Sequence, residues 1–292
     1  SPHPHARFTN IDSAAALAVE GVHGVFTLAD FPKDIQENKL LLLLPNPVIT
    51  QPMMPYLLAR DEVHFAGEAV ACVVADTRYI AEDAAAMVEI DWEILPAASD
   101  ARDAVQPGAP LCHVGAQDNV SARFVNECGD AGAAFASAAH TVSVSIRHHR
   151  GGGHSLEGRG ALAVHDKDEG RTMLWSATQA PHQVKRNIIG VLDWNENDID
   201  VIAPDVGGGF GPKAMFYAEE AVIPFLARKL DRPIKWIEDR REHFLSASQE
   251  RDQYWDMEAA FDDGGKLLGV RGTMIHDTGA YVPWGIVTPL IA

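Results

Sequence analysis

The alternation of apolar and polar residues along the chain predicts short strands separated by short helices. Residues 141–147 alternate strictly, which predicts a half-buried strand, and residues 69–75 have the apolar character of a buried strand. Thr77 stands at an N-cap position before an alanine-rich helix that ends at Met87, and residues 88–94 form the next predicted strand. The first half of the chain therefore contains a strand-helix-strand unit.

Two turn-rich segments in the second half predict β-hairpins. Residues 166–170 separate two strand-like runs, and the Asp-Asp-Gly-Gly turn at residues 262–265 separates two longer ones. Pro181 suits the first turn of a helix that runs to about residue 192. Strands and helices in this mixed order indicate an α+β fold.

The domain organisation is predicted from length and from one segment without periodicity. Residues 96–119 contain several prolines and glycines and predict a wandering connection. A length of 292 residues favours two domains. We predict a first domain over residues 1–130 and a second over residues 131–292.

Three consecutive glycines, Gly207 to Gly209, follow a strand-like run at residues 200–203. Glycine frees the backbone for positive φ and lets a ligand approach the amide N–H groups closely. Apolar residues then recur at helical spacing from Met215 to Leu226, which predicts a loop at the N-terminal end of a helix, where an anionic group is favoured. A plain tight turn between strand and helix remains the alternative.

Two common phosphate-binding motifs do not fit this loop. A P-loop requires Gly-Lys-Ser/Thr, but Pro212 separates Gly211 from Lys213, and Ala214 lacks the hydroxyl that holds magnesium. A dinucleotide fingerprint requires glycine at its sixth position, where Pro212 stands. ATP and NAD chemistry are therefore disfavoured.

Five dispersed motifs carry a family resemblance. They are SPHPHAR at residues 1–7, GEAVA at 67–71, LEGRGA at 156–161, TQ at 178–179 followed by APDVGGGFGPK at 203–213, and RPIKWIEDRREHF at 232–244. In order and spacing they resemble the molybdenum-binding large subunit of the xanthine dehydrogenase and aldehyde oxidase family. The resemblance covers essentially the whole chain, and it implies an α/β hammerhead domain followed by the first part of the molybdenum cofactor-binding domain.

The resemblance implies which residues contact the cofactor. Gln179, the glutamine of the Thr-Gln motif, would donate a hydrogen bond to the apical oxo ligand of molybdenum, and Phe210 and Gly211 would lie against the same centre. Together with Gly208 and Gly209 they form the expected cofactor-binding set, in which no residue ligates the metal directly. A neutral amide suits this role because it donates to an oxo group without adding charge.

The loop departs from the family pattern at two positions. Pro212 stands where a second glycine is expected, and Ala214 stands where purine-oxidising members carry a glutamate. Ala214 would give the substrate pocket an apolar wall with nothing to bond a purine edge. The resemblance therefore implies an aldehyde or an N-heterocycle as the small-molecule substrate, and it puts xanthine in doubt.

The resemblance also implies components beyond these 292 residues. In the family, the general-base glutamate and further pterin-binding segments lie C-terminal to this stretch, so the catalytic residue is unassigned here. We expect a fragment, or one piece of a split large subunit, that works with the remaining part of that subunit. The expected cofactor is a molybdenum-pterin, and Fe-S and FAD are expected on partner subunits that receive the electrons.

Two other interpretations stay open beside a hydroxylase of aldehydes or N-heterocycles. The first is a family member that is carbon monoxide dehydrogenase-like or acts on a nicotinate-type ring. The second is a non-catalytic homologue that serves only in assembly.

Composition disfavours several classes of function. A formal net charge of −17 repels phosphate backbones, which argues against nucleic acid as a partner. Cys72, Cys112 and Cys128 are too few for an iron–sulfur cluster and lie too far apart for a disulfide framework. The leucine run at residues 40–44 is too short to cross a bilayer. We expect a cytoplasmic location, with the periplasm as the alternative.

Other polar clusters have structural interpretations. His148, His149 and His154 stand close in sequence, but no carboxylate at helical spacing completes a zinc site beside them. Glu157 and Arg159 are predicted to form a partly buried pair that fixes a turn near the pocket. The mixed charges at residues 239–242 predict a structural ion-pair network.

Overall fold

The computed structural model describes residues 1–285, so the last seven residues of the second predicted domain lie outside the described part. The strands are β1 Ala6–Asp12, β2 Val22–Phe26, β3 Glu62–Val63, β4 Cys72–Ala75, β5 Glu89–Ile94, β6 His140–His148, β7 Gly160–Asp166, β8 Arg171–Ser176, β9 Ile199–Ile202, β10 Ile234–Ile237, β11 Gln253–Phe261 and β12 Leu267–His276. The helices are α1 Ala14–Leu17, α2 Lys33–Gln36, α3 Arg78–Ala85, α4 Ala101–Ala104, α5 Ala131–Ser137, α6 Pro181–Leu192, α7 Glu219–Leu230 and α8 Arg240–Ser246. This mixture of strands and helices confirms the α+β prediction.

The chain forms two compact units that interleave along the sequence. The first unit combines Ser1–Leu43, Met53–Ala97 and Gly152–Ser248. The second combines Leu44–Pro52, Ala98–Gly151 and the described residues from Gln249 onward. The division at residue 130 remains a prediction about domain organisation.

The largest sheet of the first unit has the strand order β10-β7-β8-β9. β7 and β8 form the predicted hairpin, and β9 returns parallel to β8 after the crossover helix α6. Pro181 occupies the first turn of α6, where its missing N–H has no intrahelical partner to lose, as predicted. α6 and α7 pack their apolar residues onto this sheet, and the buried core includes Leu174, Ile188, Ile199 and Leu226.

Two smaller sheets complete the first unit. One has the order β3-β1-β5 and buries a cluster of Ala6, Phe8, Ala59, Val63 and Val70. The other pairs β2 with β4 in antiparallel fashion. The Thr77 side chain accepts a hydrogen bond from the Ile80 N–H at the start of α3, which confirms the predicted N-cap.

The second unit contains an antiparallel sheet in the order β12-β11-β6. β11 and β12 form the second predicted hairpin. β6 then pairs with β11 along its entire length, from His140 opposite Phe261 to His148 opposite Gln253.

The prediction that β6 is half-buried is wrong. All nine of its residues are exposed, including Val142, Val144 and Ile146 at about half of their maximal accessibility (56%, 47% and 51%). Alternation determines which side chains share a face of a strand, but it carries no information about whether another layer covers that face.

This difference predicts contrasting effects of the same substitution at two strand valines. Val144→Thr on β6 should change the free energy of unfolding by less than about 0.5 kcal/mol, because the side chain is exposed. Val74→Thr on β4, which buries a hydroxyl in the core, should cost roughly 1–3 kcal/mol. Urea unfolding of both variants checks this, and an equal loss in the two would contradict the exposed position of β6.

Candidate cofactor site

The segment that follows β8 is fixed by hydrogen bonds to the start of β7 and to residues 207–213, called the glycine loop below. The Gln179 N–H donates to the Lys213 carbonyl at 2.9 Å, and the Thr178 hydroxyl donates to the same oxygen at 3.1 Å. The Ala177 N–H donates to the Gly160 carbonyl at 3.0 Å. These bonds place Gln179 directly beside the loop that begins 28 residues later in the sequence.

The Gln179 side chain crosses the glycine loop. Its Oε1 accepts a hydrogen bond from the Gly211 N–H at 3.0 Å, which leaves the amide nitrogen Nε2 available as a donor. A Cβ on Gly209 would lie less than 3.0 Å from Cδ of Gln179, so only glycine lets the side chain lie there. The structure therefore brings together the two features that the sequence predicted to face one ligand.

Phe210 has an unusual backbone for a bulky residue. Its φ is 54°, in the left-handed region, and its side chain is 72% exposed. Its neighbour Gly211 also has a positive φ, of 100°, which glycine adopts without strain. A strained aromatic residue at the tip of a loop is typical of sites whose geometry serves a ligand.

Three hydrogen-bond donors are unused at this loop. Within residues 1–285, no acceptor is recorded for the N–H groups of Gly209 and Phe210 or for Nε2 of Gln179. The N–H of Gly208 differs, because it donates to the Val206 carbonyl at 2.9 Å. Gly209 and Phe210 are adjacent in the chain and the Gln179 side chain lies against Gly209, so the three donors are close together.

A buried lysine holds the loop in this shape, which sequence reasoning missed. Lys213 is 2% exposed, and its Nζ lies 2.6 Å from Oε2 of Glu157. The same carboxylate oxygen accepts the Gly207 N–H at 2.8 Å. Lys213 therefore clamps the start of the loop through its side chain, while its carbonyl fixes Gln179. The position of Lys213 directly after the glycine-rich segment was the only sequence signal of this role.

The carboxylate of Glu157 is stabilised in its ionised form. Burial alone would raise its pKa, but the hydrogen bonds from Lys213 and the Gly207 N–H outweigh burial and lower the pKa from its ordinary value. Glu157 therefore stays charged at neutral pH and neutralises the buried ammonium.

The predicted helix N-terminus at the loop is wrong. A 3₁₀ turn, Pro212–Ala214, follows the loop, and Met215 then has an extended backbone. α7 begins only at Glu219, and the Glu220 carboxylate already accepts the Tyr217 N–H near its start. The helix dipole therefore does not act on a ligand at the loop, because helical spacing of apolar residues overestimated how early the helix begins.

Ala214 is the last residue of the 3₁₀ turn. It is partly buried, and its N–H donates to the Gly211 carbonyl at 2.8 Å. Its methyl group is thus held next to the loop that carries the proposed cofactor contacts. Its role in a substrate pocket remains a prediction.

The predicted pairing of Glu157 with Arg159 is wrong. Arg159 is buried and makes ion pairs with Glu238 at 2.6 Å and with Glu219 at 3.1 Å, while Glu157 pairs with Lys213. The chain bends at residues 156–157, so the closeness of Glu157 and Arg159 in sequence did not determine their partners.

The residues at 239–242 form a helix cap, which corrects the predicted ion-pair network. The Asp239 side chain accepts from the Glu242 N–H at 2.7 Å, and Glu242 accepts in return from the Asp239 N–H at 2.7 Å. Arg240 instead donates to the carbonyls of Ser155 and Leu156. Residues 239–242 therefore stabilise the N-terminus of α8.

The histidines of residues 148–154 do not form a metal-binding cluster. Within the described residues, no group of three or more His, Cys, Asp or Glu side chains is arranged to hold a metal ion. His154 instead contacts the His243 ring at 4.8 Å and the Phe244 ring at 4.6 Å between centroids.

Glu220 is a buried carboxyl group next to the strand that leads to Gln179. It is 5% exposed, and its Oε1 accepts the Ser176 hydroxyl at 2.6 Å. Burial raises its pKa to about 7, against the opposing effect of that hydrogen bond. Glu220 is therefore protonated in a large fraction of molecules at neutral pH.

This pKa predicts a specific pH dependence of stability. The folded protein holds a proton on Glu220 that the unfolded chain releases near pH 4.5, so the stabilisation is complete below pH 4.5 and is lost as pH rises to about 7. The loss should amount to roughly 3 kcal/mol at about 1.4 kcal/mol per pH unit. Glu220→Gln imitates the protonated acid and should remove this slope, while Glu169→Gln at an exposed position should keep it. Thermal unfolding from pH 4.5 to 8 measures the difference, and parallel curves for wild type and Glu220→Gln would contradict it.

Two known protein families match the chain, one in each part of the sequence. The family described as "Molybdopterin cofactor-binding domain" matches residues 112–292. The family described as "Aldehyde oxidase and xanthine dehydrogenase, a/b hammerhead domain" matches residues 1–96. The chain belongs to the molybdopterin cofactor-binding family. The resemblance drawn from the five motifs and the predicted succession of domain types are thereby confirmed.

Individual members of the family agree with this assignment. The chain is 38% identical over 96% of its length to the nicotine 6-hydroxylase large subunit of Paenarthrobacter nicotinovorans. It is 35% identical over 96% of its length to the carbon monoxide dehydrogenase large chain of Afipia carboxidovorans. The crystal structure of quinoline 2-oxidoreductase from Pseudomonas putida 86 superposes with a TM-score of 0.89 at 36% identity over 97% of the chain.

The chain spans about a third of the length of these members. It covers 34% of the nicotine 6-hydroxylase subunit, 35% of the carbon monoxide dehydrogenase chain and 36% of the quinoline 2-oxidoreductase chain. No helix within the described residues is both long and apolar enough to span a membrane.

The loop fits the cofactor that characterises the family. A molybdenum-pterin group presents oxo and phosphate oxygens, which accept hydrogen bonds and carry negative charge. The unused donors at Gly209, Phe210 and Gln179 are neutral N–H groups that complement such oxygens. The missing side chain at Gly209 leaves room for the Gln179 side chain, which lies beside these N–H groups.

Proposed function

We propose that this chain is the molybdenum-binding part of a hydroxylase large subunit that oxidises an N-heterocycle or an aldehyde. The observation that supports the proposal most strongly is the contact of Gln179 with the glycine loop, where three N–H donors have no acceptor within residues 1–285. Membership of the molybdopterin cofactor-binding family gives this donor set a matching ligand.

The residues of this chain bind and orient the cofactor. Nε2 of Gln179 would donate to an oxo group of the bound cofactor, and the N–H groups of Gly209 and Phe210 would add fixed dipoles beside it. Gly208, Phe210 and Gly211 have positive φ values, which shape the turn that carries these amides. When bound, the molybdenum-pterin group supplies the two-electron chemistry of hydroxylation, with water as the source of the inserted oxygen.

The clamp formed by Lys213 and Glu157 prevents reorganisation of these donors. Gly207 is held by the Glu157 carboxylate, which pairs with the Lys213 side chain, and Gln179 is held by the Lys213 carbonyl. The donors are therefore in place before the ligand arrives. Preorganised dipoles stabilise developing charge more effectively than mobile ones.

We infer an N-heterocycle or an aldehyde as the substrate. Ala214 gives an apolar wall where a carboxylate would be needed to bond a purine edge. Two relatives carry names that refer to N-heterocycles, nicotine and quinoline. An N-heterocycle is therefore the first substrate class to examine.

The complete activity also requires components that we place outside this chain. The relatives named as large subunits or large chains support assembly with other subunits. We propose that Fe-S and FAD partner subunits carry the electrons away, and that a general-base glutamate lies in the remaining part of the large subunit. We propose a cytoplasmic location for the assembly.

Elemental analysis of the native complex tests this proposal. Molybdenum and iron in a fixed ratio, together with turnover of N-heterocycles and incorporation of ¹⁸O from labelled water, are expected. A complex that retains its redox partners but contains no molybdenum would show that the chain acts only in assembly. Oxidation of carbon monoxide in place of N-heterocycles or aldehydes would overturn the substrate assignment alone.

A further inference from the structure

A small cavity lies behind the segment that carries Gln179. Its volume is ≈ 10 Å³, and its walls include Arg159, Ser176, Ala177 and Glu219. A polar cavity of this size has room for about one water molecule.

Two buried polar atoms of residues that border this cavity have no properly aligned hydrogen bond to any atom of residues 1–285. They are Nη1 of Arg159 and Oε1 of Glu219, which lie 3.1 Å apart as an ion pair but do not align as donor and acceptor. Arg159 is 6% exposed, so bulk water does not reach its guanidinium. Buried polar groups almost always have a partner, and an ordered water supplies it where protein atoms do not.

We propose that this cavity is a binding site for one water molecule, which hydrogen-bonds to Arg159 and Glu219 and links them to Ser176. The site is separate from the proposed cofactor contacts and does not depend on the proposed function. It extends the hydrogen-bond network from α7 to the end of β8.

The charges around the cavity select water over an ion. The Arg159 guanidinium repels a cation, and the Glu219 carboxylate repels an anion. Water is neutral and can donate to Glu219 while it accepts from Arg159. The small volume excludes larger neutral molecules.

The water also explains how Ser176 can form a hydrogen bond with Glu220 in both protonation states of the carboxyl group. When Glu220 is ionised, the Ser176 hydroxyl donates to it across 2.6 Å, and the water donates to Ser176. When Glu220 is protonated, it donates to Ser176 Oγ instead, and the Ser176 hydrogen turns to the water. Burial raises the pKa of Glu220 to about 7, so both states are populated near neutral pH.

The groups that face Glu220 are consistent with this exchange. Tyr217 donates its N–H to the carboxyl group at 3.1 Å in either state, and the neighbouring Glu219 disfavours a second negative charge. Arg159 favours the ionised form, and Lys213, which also borders the cavity, is already neutralised by its own partner.

The water positions the segment that carries Gln179. Ser176 is the last residue of β8, so its side-chain bonds fix the chain just before Gln179. Without the water-linked bonds, the hydrogen bond from the Gln179 N–H to the Lys213 carbonyl should open more often.

A crystal structure of the intact protein at a resolution that shows ordered water tests the proposal. We expect one peak within hydrogen-bonding distance of Arg159 Nη1 and Glu219 Oε1, without anomalous signal after a rubidium soak. An empty cavity, or a rubidium peak inside it, would overturn the water site.

A variant pair tests the positioning role independently. Ser176→Val removes the hydroxyl that faces the cavity, whereas Thr172→Val removes a buried hydroxyl on the same strand that contacts His165. Hydrogen exchange of the Gln179 amide should accelerate roughly tenfold in Ser176→Val and stay unchanged in Thr172→Val. Equal exchange rates in wild type and Ser176→Val, with both variants folded, would overturn the positioning role.

Discussion

Replacing Gln179 with alanine is expected to lower turnover of the intact, cofactor-loaded protein by roughly 100-fold. The free energy of unfolding should fall by less than about 1 kcal/mol, because the side chain is exposed and, within residues 1–285, forms one hydrogen bond, accepted from the Gly211 N–H. This loss is expected because the substitution removes the Nε2 donor that we propose contacts the cofactor. Steady-state kinetics and thermal unfolding of the same preparation measure the two effects.

Gln106→Ala is the matched control for this prediction. Gln106 is also exposed, and its amide donates to the Arg102 carbonyl, but it belongs to the other compact unit. Its substitution should leave turnover unchanged. If Gln179→Ala instead lost stability and activity to the same degree, Gln179 would be only a structural amide.

Adding a methyl group at Gly209 is expected to reproduce the Gln179→Ala defect. In Gly209→Ala the new Cβ would occupy space taken by Cδ of Gln179, so the amide must swing away and release the Gly211 N–H. Turnover should fall by roughly 100-fold at a cost of about 1 kcal/mol or less, because the displaced side chain is flexible and exposed. Kinetics of the loaded enzyme measure the loss.

The double variant makes this prediction specific. In Gln179→Ala the atoms that Gly209→Ala displaces are already absent, so the double variant should be no slower than Gln179→Ala alone. Gly115→Ala, where a Cβ meets open space, should have no effect. Multiplicative losses in the double variant would mean that Gly209 acts independently of Gln179.

Much of the local structure could be predicted because it depends on local interactions. The N-cap at Thr77, the Pro181 start of α6 and both hairpins follow from residues within a few positions of each other. Burial could not be predicted in the same way. β6 alternates like a half-buried strand, yet both of its faces are exposed, since covering a face depends on residues distant in sequence.

Part of the candidate site could be predicted from sequence motifs, but the partners of its charged residues could not. The positions of Gln179 and the glycine loop were expected from motifs, and the structure places them in contact. The partners of Lys213 and Arg159 were not expected, because each pairs with a carboxylate more than 50 residues away in sequence. The sequence contains several glutamates at comparable distances, and only the fold selects among them.

The central claim is that the Gln179 amide and the glycine loop contact one molybdenum cofactor. Anomalous diffraction from crystals of the intact protein, measured at the molybdenum absorption edge, tests it most directly. We predict a single peak beside Nε2 of Gln179 and the N–H groups of Gly209 and Phe210. A molybdenum peak elsewhere in the protein, with these three donors facing solvent, would contradict the claim.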